Sequence, residues 1–187
     1  MTSRSTVESR DRLRLFLALP LPNETRERLV EWQAAQLGVG GFDARIVPPA
    51  NLHVTLAFLG SRPKAEAGAI VGAMRDAAAG TEPPLLAPKR YRETRSVGMV
   101  VLEDEEGRAT KLAARLSERL ARLGVYEPER RAWLPHVTVL RFRRRPGLTP
   151  GVPDLGRFSP SEVALYHSVL RPTGAQYEIR ESVALGG

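Results

Sequence analysis

Only three side chains in this 187-residue sequence carry an imidazole, His53, His136 and His167, and there is no cysteine. Two of the three open near-identical segments, His53-Val54-Thr55-Leu56 and His136-Val137-Thr138-Val139. Successive side chains of an extended strand point to opposite faces. Each segment therefore offers an imidazole and a hydroxyl on one face and two aliphatic side chains on the other. Two imidazoles can hold opposite protonation states near pH 7, one as base and one as acid. Two threonine hydroxyls can donate to phosphate oxygens whose negative charge grows in a transition state. Such a set suits an in-line displacement at phosphorus, for example the opening of a strained cyclic phosphate by water. Zinc is the rival use of paired histidines. Neither a His-x-x-x-His spacing, a cysteine nor a nearby carboxylate completes a coordination sphere, so neither a metal nor any other cofactor is expected. His167, in Leu165-Tyr166-His167-Ser168, has no Thr two residues on and reads as a surface or packing residue.

Elements that could position these groups follow from the patterning. Leu13 to Leu19 reads as a strand closed by Pro20 and Pro22. Asn23 is an expected N-cap for a helix from Glu24 to Leu37, stopped by Gly38. His53 to Leu59 is a strand ending at Gly60, and an Ala-rich helix is expected over 64–79. After the prolines at 83, 84 and 88, Val97 to Leu102 reads as a strand. Arg108 to Leu123 is the clearest helix, with Leu112, Leu116 and Leu120 at helical spacing. His136 to Phe142 is the next strand, residues 146–160 form a Pro- and Gly-rich loop, and 162–170 with 176–185 make a closing strand pair.

The two halves match in organisation. Each runs strand, helix, Pro-containing connection, then a strand that opens with His-Val-Thr. Two such units related by an approximate twofold predict an α+β, bilobal, duplicated fold. In it two antiparallel sheets face each other across a central cleft, with helices on the outside. A single domain over 12–187 is expected, with 1–11 as a flexible extension.

Composition narrows the partners. The net charge is +7 and the pI near 10.5, which suits a polyanion such as nucleic acid. Lys64, Lys89 and Lys111 are the only lysines, so arginine carries the basicity, with Arg141, Arg143, Arg144 and Arg145 clustered behind the second His-x-Thr strand. No apolar run approaches the ~20 residues that a membrane-crossing helix needs. The first residues lack the apolar stretch of a secretory signal. A cytoplasmic monomer without membrane association is the expectation.

At these residues the chain resembles the 2H phosphoesterase superfamily, in particular the bacterial and archaeal RNA 2′,3′-cyclic phosphodiesterases, also called 2′-5′ RNA ligases. The resemblance rests on Arg14-Leu15-Phe16-Leu17-Ala18-Leu19-Pro20, Asn51-Leu52-His53-Val54-Thr55-Leu56, and Leu134-Pro135-His136-Val137-Thr138, with a weaker block at Leu165-Tyr166-His167-Ser168. It implies metal-independent hydrolysis of a terminal 2′,3′-cyclic phosphate of RNA to a 2′-phosphate; small cyclic nucleotides stay open as incidental substrates. It implies His53 and His136 as catalytic residues, with His136 toward water and His53 toward the leaving oxygen, although the residues by themselves permit the reverse. Thr55 and Thr138 carry over as phosphate ligands, Phe58 as a residue that packs on the nucleotide, and Arg141 as a substrate contact. Both Phe58 and Arg141 lie five residues after their histidine, so a bulge or twist is needed to bring Arg141 to the histidine's face. Two alternatives stay open: reversible, ATP-independent 2′-5′ ligation by the same chemistry, and a non-catalytic module that holds RNA ends.

Overall fold

The computed structural model describes residues 11–38, 43–172 and 174–187. The expected N-terminal extension lies outside them except for Asp11. In chain order the elements are β1 (Arg12–Pro20), α1 (Asn23–Gln36), β2 (Ala44–Ile46), a 3-10 turn (Pro49–Asn51), β3 (His53–Pro63), a second 3-10 turn (Lys64–Glu66), α2 (Ala67–Ala78), β4 (Leu86–Glu93), β5 (Val97–Asp104), α3 (Arg108–Arg122), β6 (His136–Phe142), β7 (Glu162–Arg171) and β8 (Gly174–Ala184). None of these helices is long and apolar enough to cross a membrane.

All the strands join one curled antiparallel sheet in the order β4-β5-β6-β3-β1-β7-β8, with β2 paired to β6. This corrects the expectation of two sheets facing across a cleft. The two His-Val-Thr strands are neighbours, joined at Val54↔Val137. The reason is backbone satisfaction: left apart, β3 and β6 would each present an edge of unpaired N–H and C=O groups. Joined, they make one sheet with one cleft face. The other face packs on the helices. A single core cluster runs through both halves, including Leu15, Val54, Val100 and Val137 from the sheet, Leu29 of α1, Ile70 and Met74 of α2, and Leu112, Leu116 and Leu120 of α3.

Two strands escape the sequence pattern. β2 is only three residues long. β4 carries Pro88, which argues against a strand; it is an edge strand paired only with β5, and its register shifts between Pro88 and Arg90. At helix α1 the residue before the first turn is Pro22, and no side chain caps it, so Asn23 is not the cap. One glycine is required sterically: a Cβ on Gly98 would lie 2.2 Å from the Tyr91 hydroxyl.

The long loop 146–160 is tied to the sheet by one carboxylate. Glu93, whose side chain is 1% exposed, accepts hydrogen bonds from the backbone N–H of Gly147 (3.0 Å) and Leu148 (2.9 Å), from Arg145 Nε (3.1 Å) and from Tyr91 Oη (3.1 Å). Burial by itself would raise its pKa. The Leu148, Arg145, Gly147 and Tyr91 donors outweigh that and hold it below the ordinary value.

Candidate active site

An antiparallel pair centred on Val54 and Val137 sets His53 beside Thr138 and Thr55 beside His136, all four on the face opposite the buried valines. Both rings are anchored alike. His53 Nδ1 lies 2.9 Å from the Asn51 carbonyl and His136 Nδ1 lies 2.8 Å from the Leu134 carbonyl, each two residues back. A carbonyl only accepts, so each Nδ1 carries a hydrogen and each Nε2 is left for other chemistry. In the free protein His53 Nε2 accepts from the Thr55 hydroxyl at 2.9 Å.

A cavity of about 470 Å³ opens over this face. His53, Thr55, Phe58, Thr138 and Arg141 line it, together with Arg14, Phe16, Arg45, Ser168, Arg171 and Tyr177. His136 is half-buried beside it and is not among its lining residues. His167 points to the other face, 3.8 Å from Glu178, with its cross-strand partner in β8.

Phe58 and Arg141 reach the cleft through matching bulges. Between Leu17↔Ala57 and Ala18↔Thr55 the β3 register skips Leu56; between Gly98↔Leu140 and Met99↔Thr138 the β6 register skips Val139. In both strands the third and fourth residues after the histidine are buried and the fifth is exposed. The extra residue shifts the alternation by one, so the fifth side chain shares the histidine's face. Side-chain donors hold the backbone at both places. Gln33 of α1, buried, donates through Nε2 to the carbonyls of Val139 (2.9 Å) and Val47 (3.2 Å), and Trp133 Nε1 donates to the Thr55 carbonyl at 3.0 Å. Neither has a motif that marks it in the sequence.

His53 rests on aromatic rings. Phe16 lies 4.9 Å from it between centroids and stacks on Tyr166 at 4.9 Å and 3°, while Tyr177 stands edge-on to both Phe16 and His53. This burial is the largest influence on the ring. The Asn51 carbonyl opposes it by favouring the protonated form, and the charges of His136 and Arg141 add to it, so the pKa falls from 6.5 to about 4. His53 is therefore neutral at pH 7 in the free protein. Arg14, which sequence reasoning passed over, lies with its guanidinium 4.8 Å from the centre of the half-exposed Phe58 ring. The alternation of β1 carries that signal: Leu15, Leu17 and Leu19 are buried, which leaves Arg14 and Phe16 on the cleft side.

Among the described residues no three His, Cys, Asp or Glu side chains converge as metal ligands. Among the described residues no Asp or Glu lines the cavity. An imidazole, hydroxyls and guanidiniums without a carboxylate make a site for an anion.

Comparison with known proteins agrees with that chemistry. The description of LigT-like phosphoesterases matches residues 19–90. An RNA 2′,3′-cyclic phosphodiesterase of Thermus thermophilus is 32% identical over 192 residues, covering 94% of this chain and 91% of its own. The chain belongs to the LigT-like phosphoesterase family. The Escherichia coli RNA 2′,3′-cyclic phosphodiesterase is 31% identical to this LigT-like chain over 158 residues, 83% of this chain and 86% of its own. Among solved structures, that of a Thermus thermophilus protein superposes on the LigT-like fold described above with a TM-score of 0.81 at 28% identity, covering 94% of this chain and 99% of that one. Escherichia coli LigT in complex with 3′-AMP gives 0.75 at 27% identity, over 95% and 99%.

Proposed function

We propose that this chain opens the terminal 2′,3′-cyclic phosphate of RNA by attack of water, with His53 and His136 as the acid–base pair. It is an RNA 2′,3′-cyclic phosphodiesterase, a hydrolase of phosphoric diesters. The observation that carries the reading of its residues is the Val54↔Val137 pairing, which sets two His-x-Thr segments head to tail on one face beside an anion-binding cavity. In the proposed step, one imidazole takes a proton as the water oxygen bonds to phosphorus. The P–O3′ bond breaks, and the other imidazole gives its proton to O3′, leaving a 2′-phosphate and a 3′-hydroxyl. Thr55 and Thr138 donate to the non-bridging oxygens, and Arg141 balances the charge that accumulates there. Phe58 offers a ring face to the terminal base. No metal takes part.

The resemblance implies His136 as base. Its burial keeps His53 neutral in the free protein, which suits His53 to that role instead. The acid limb of kcat/KM separates the two, because it reports the free enzyme. A limb near pH 4 assigns the base to His53, and the absence of such a limb takes that role away from His53.

We take residues 12–187 as one catalytic domain acting as a cytoplasmic monomer. Small cyclic nucleotides are incidental substrates. The test is an RNA with a 2′,3′-cyclic phosphate end in excess EDTA, with wild type, His53→Ala and His136→Ala in parallel and the product's phosphate position mapped. Opening to a 2′-phosphate by wild type, with each variant slowed by about 100-fold or more, supports the reading. Turnover that EDTA abolishes, or that either variant retains, overturns it. A 5′-hydroxyl RNA added to the same reaction reads out ligation.

A further inference from the structure

Two arginines face each other where a fold alone has no use for them. Arg45 of β2 and Arg141 of β6 are direct cross-strand partners. Like charges directly opposite in an antiparallel pair are destabilising. Both side chains line the cleft, as do those of Arg14 and Arg171. Among the described residues none of these four has a carboxylate within 4.0 Å. Farther along the same arginine run the pattern differs: Arg143 lies 3.7 Å from Asp43, and Arg145 lies 3.1 Å from Glu93.

A cyclic phosphate diester carries a single negative charge. Two threonine hydroxyls and Arg141, near enough to His53 for its charge to lower that ring's pKa, already meet it. Arg45 reaches the other way. Its guanidinium lies 3.5 Å from where a Cβ would stand on Gly174, at the start of β8, and Gly174 has φ +125°, which L side chains rarely adopt. The backbone conformation accounts for glycine there, and the 3.5 Å spacing puts Arg45 against the β7–β8 hairpin. Arg171 and Ala175 of the same hairpin also border the cavity, and Asn51 Nδ2 ties that wall to the turn before β3 through the Ala175 carbonyl at 2.8 Å.

We infer that Arg45, with Arg171 on the hairpin wall, forms a second phosphate subsite. It takes the phosphate on the 5′ side of the terminal nucleotide. In RNA that group is the internucleotide phosphodiester, so the cleft is built for an oligonucleotide end and not for a cyclic mononucleotide. This rests on the phosphodiesterase reading, and it names the part of the substrate which that reading leaves open.

Three substrates test it with wild type and Arg45→Gln: a nucleoside 2′,3′-cyclic phosphate, the same compound with a 5′-phosphate, and a ribodinucleotide with a 2′,3′-cyclic end. Wild type is expected to favour the dinucleotide over the unphosphorylated mononucleotide in kcat/KM by about tenfold or more, the scale of a hydrogen-bonded charge pair. Arg45→Gln is expected to remove most of that preference. If the 5′-phosphorylated mononucleotide matches the dinucleotide, the subsite reads any 5′-phosphate and the oligonucleotide assignment is overturned. An equal fall on all three substrates, or no preference in wild type, overturns the subsite. The unfolding temperature of Arg45→Gln should stay level or rise, since a like-charge contact is removed; a clear fall would mark Arg45 as structural.

Binding of a labelled RNA ending in a 2′-phosphate, followed by anisotropy against salt, keeps the two readings apart. Arg45→Gln should reduce the slope of log K against log salt by about one. That reduction with no turnover of any substrate by wild type leaves the phosphate subsite standing and removes the phosphodiesterase reading. An unchanged slope removes the subsite, whatever the turnover.

Discussion

Lowering the pH should destabilise this protein through His53 before it titrates the ring in the folded state. The ring sits against Phe16, Tyr166 and Tyr177, beside the charges of Arg141 and His136, and its pKa is about 4 against the ordinary 6.5. A folded pKa below the unfolded value means that the unfolded chain binds the proton first. Above pH 6.5 both states are neutral and the contribution is fully present. Below 6.5 the unfolded state gains a proton that the folded state refuses, and stability falls until about pH 4, where both are charged. At 1.36 kcal/mol per pH unit the whole loss is about 3 kcal/mol, and about 2 kcal/mol of it has accrued by pH 5. Glu93 also loses its stabilising charge as pH falls below the ordinary carboxylate range, so the His53 part must be isolated by difference. Urea unfolding of wild type and His53→Gln at pH 7.5, 6, 5 and 4.5 does this, since the variant lacks the titrating group. Wild type should lose about 2 kcal/mol more than the variant between pH 7.5 and 5. Parallel losses, or an NMR titration of the His53 ring centred between 6 and 7, would refute the claim that burial governs this ring.

Other expectations follow from the same contacts. Arg141→Ala removes one of the cations that depress His53, so the ring's NMR pKa should rise while kcat/KM falls by about tenfold or more; a fall in that pKa would contradict the assigned electrostatics. Glu93→Ala leaves the Gly147 and Leu148 N–H groups and the Tyr91 hydroxyl without their acceptor. A loss of about 3 kcal/mol in urea unfolding is expected, together with faster hydrogen exchange at Gly147 and Leu148; unchanged exchange would mean the loop is held elsewhere. Gln33→Met removes both donors from the Val47 and Val139 carbonyls. Val139 keeps the Val47 N–H at 3.0 Å, and the partnerless Gln33 Oε1 is removed as well, so the cost should be about 1–3 kcal/mol. Stability equal to wild type would show that the β6 bulge holds itself.

The chemistry was legible in the sequence because it is local. His-x-Thr puts an imidazole and a hydroxyl on one face of any strand, and the spacing of Leu112, Leu116 and Leu120 puts an apolar stripe on any helix, whatever surrounds them. Those two periodicities marked most elements of both halves, though not β2 or β4, and singled out the two His-x-Thr strands. They did not determine which strand lies beside which. Facing sheets and a single sheet contain the same strands, and only the docking of β6 against β3 at Val54↔Val137 chose between them. Bulges belong to the same class, since Leu56 and Val139 are extra only relative to the partner strands they skip, and those partners lie far away in the chain. So Phe58 and Arg141, at an odd offset, turn toward the histidines in the folded sheet alone. Arg45 has no motif, and its meaning comes from facing Arg141 across a three-residue strand. The depressed pKa of His53 likewise depends on rings from β1, β7 and β8, brought around it by tertiary packing.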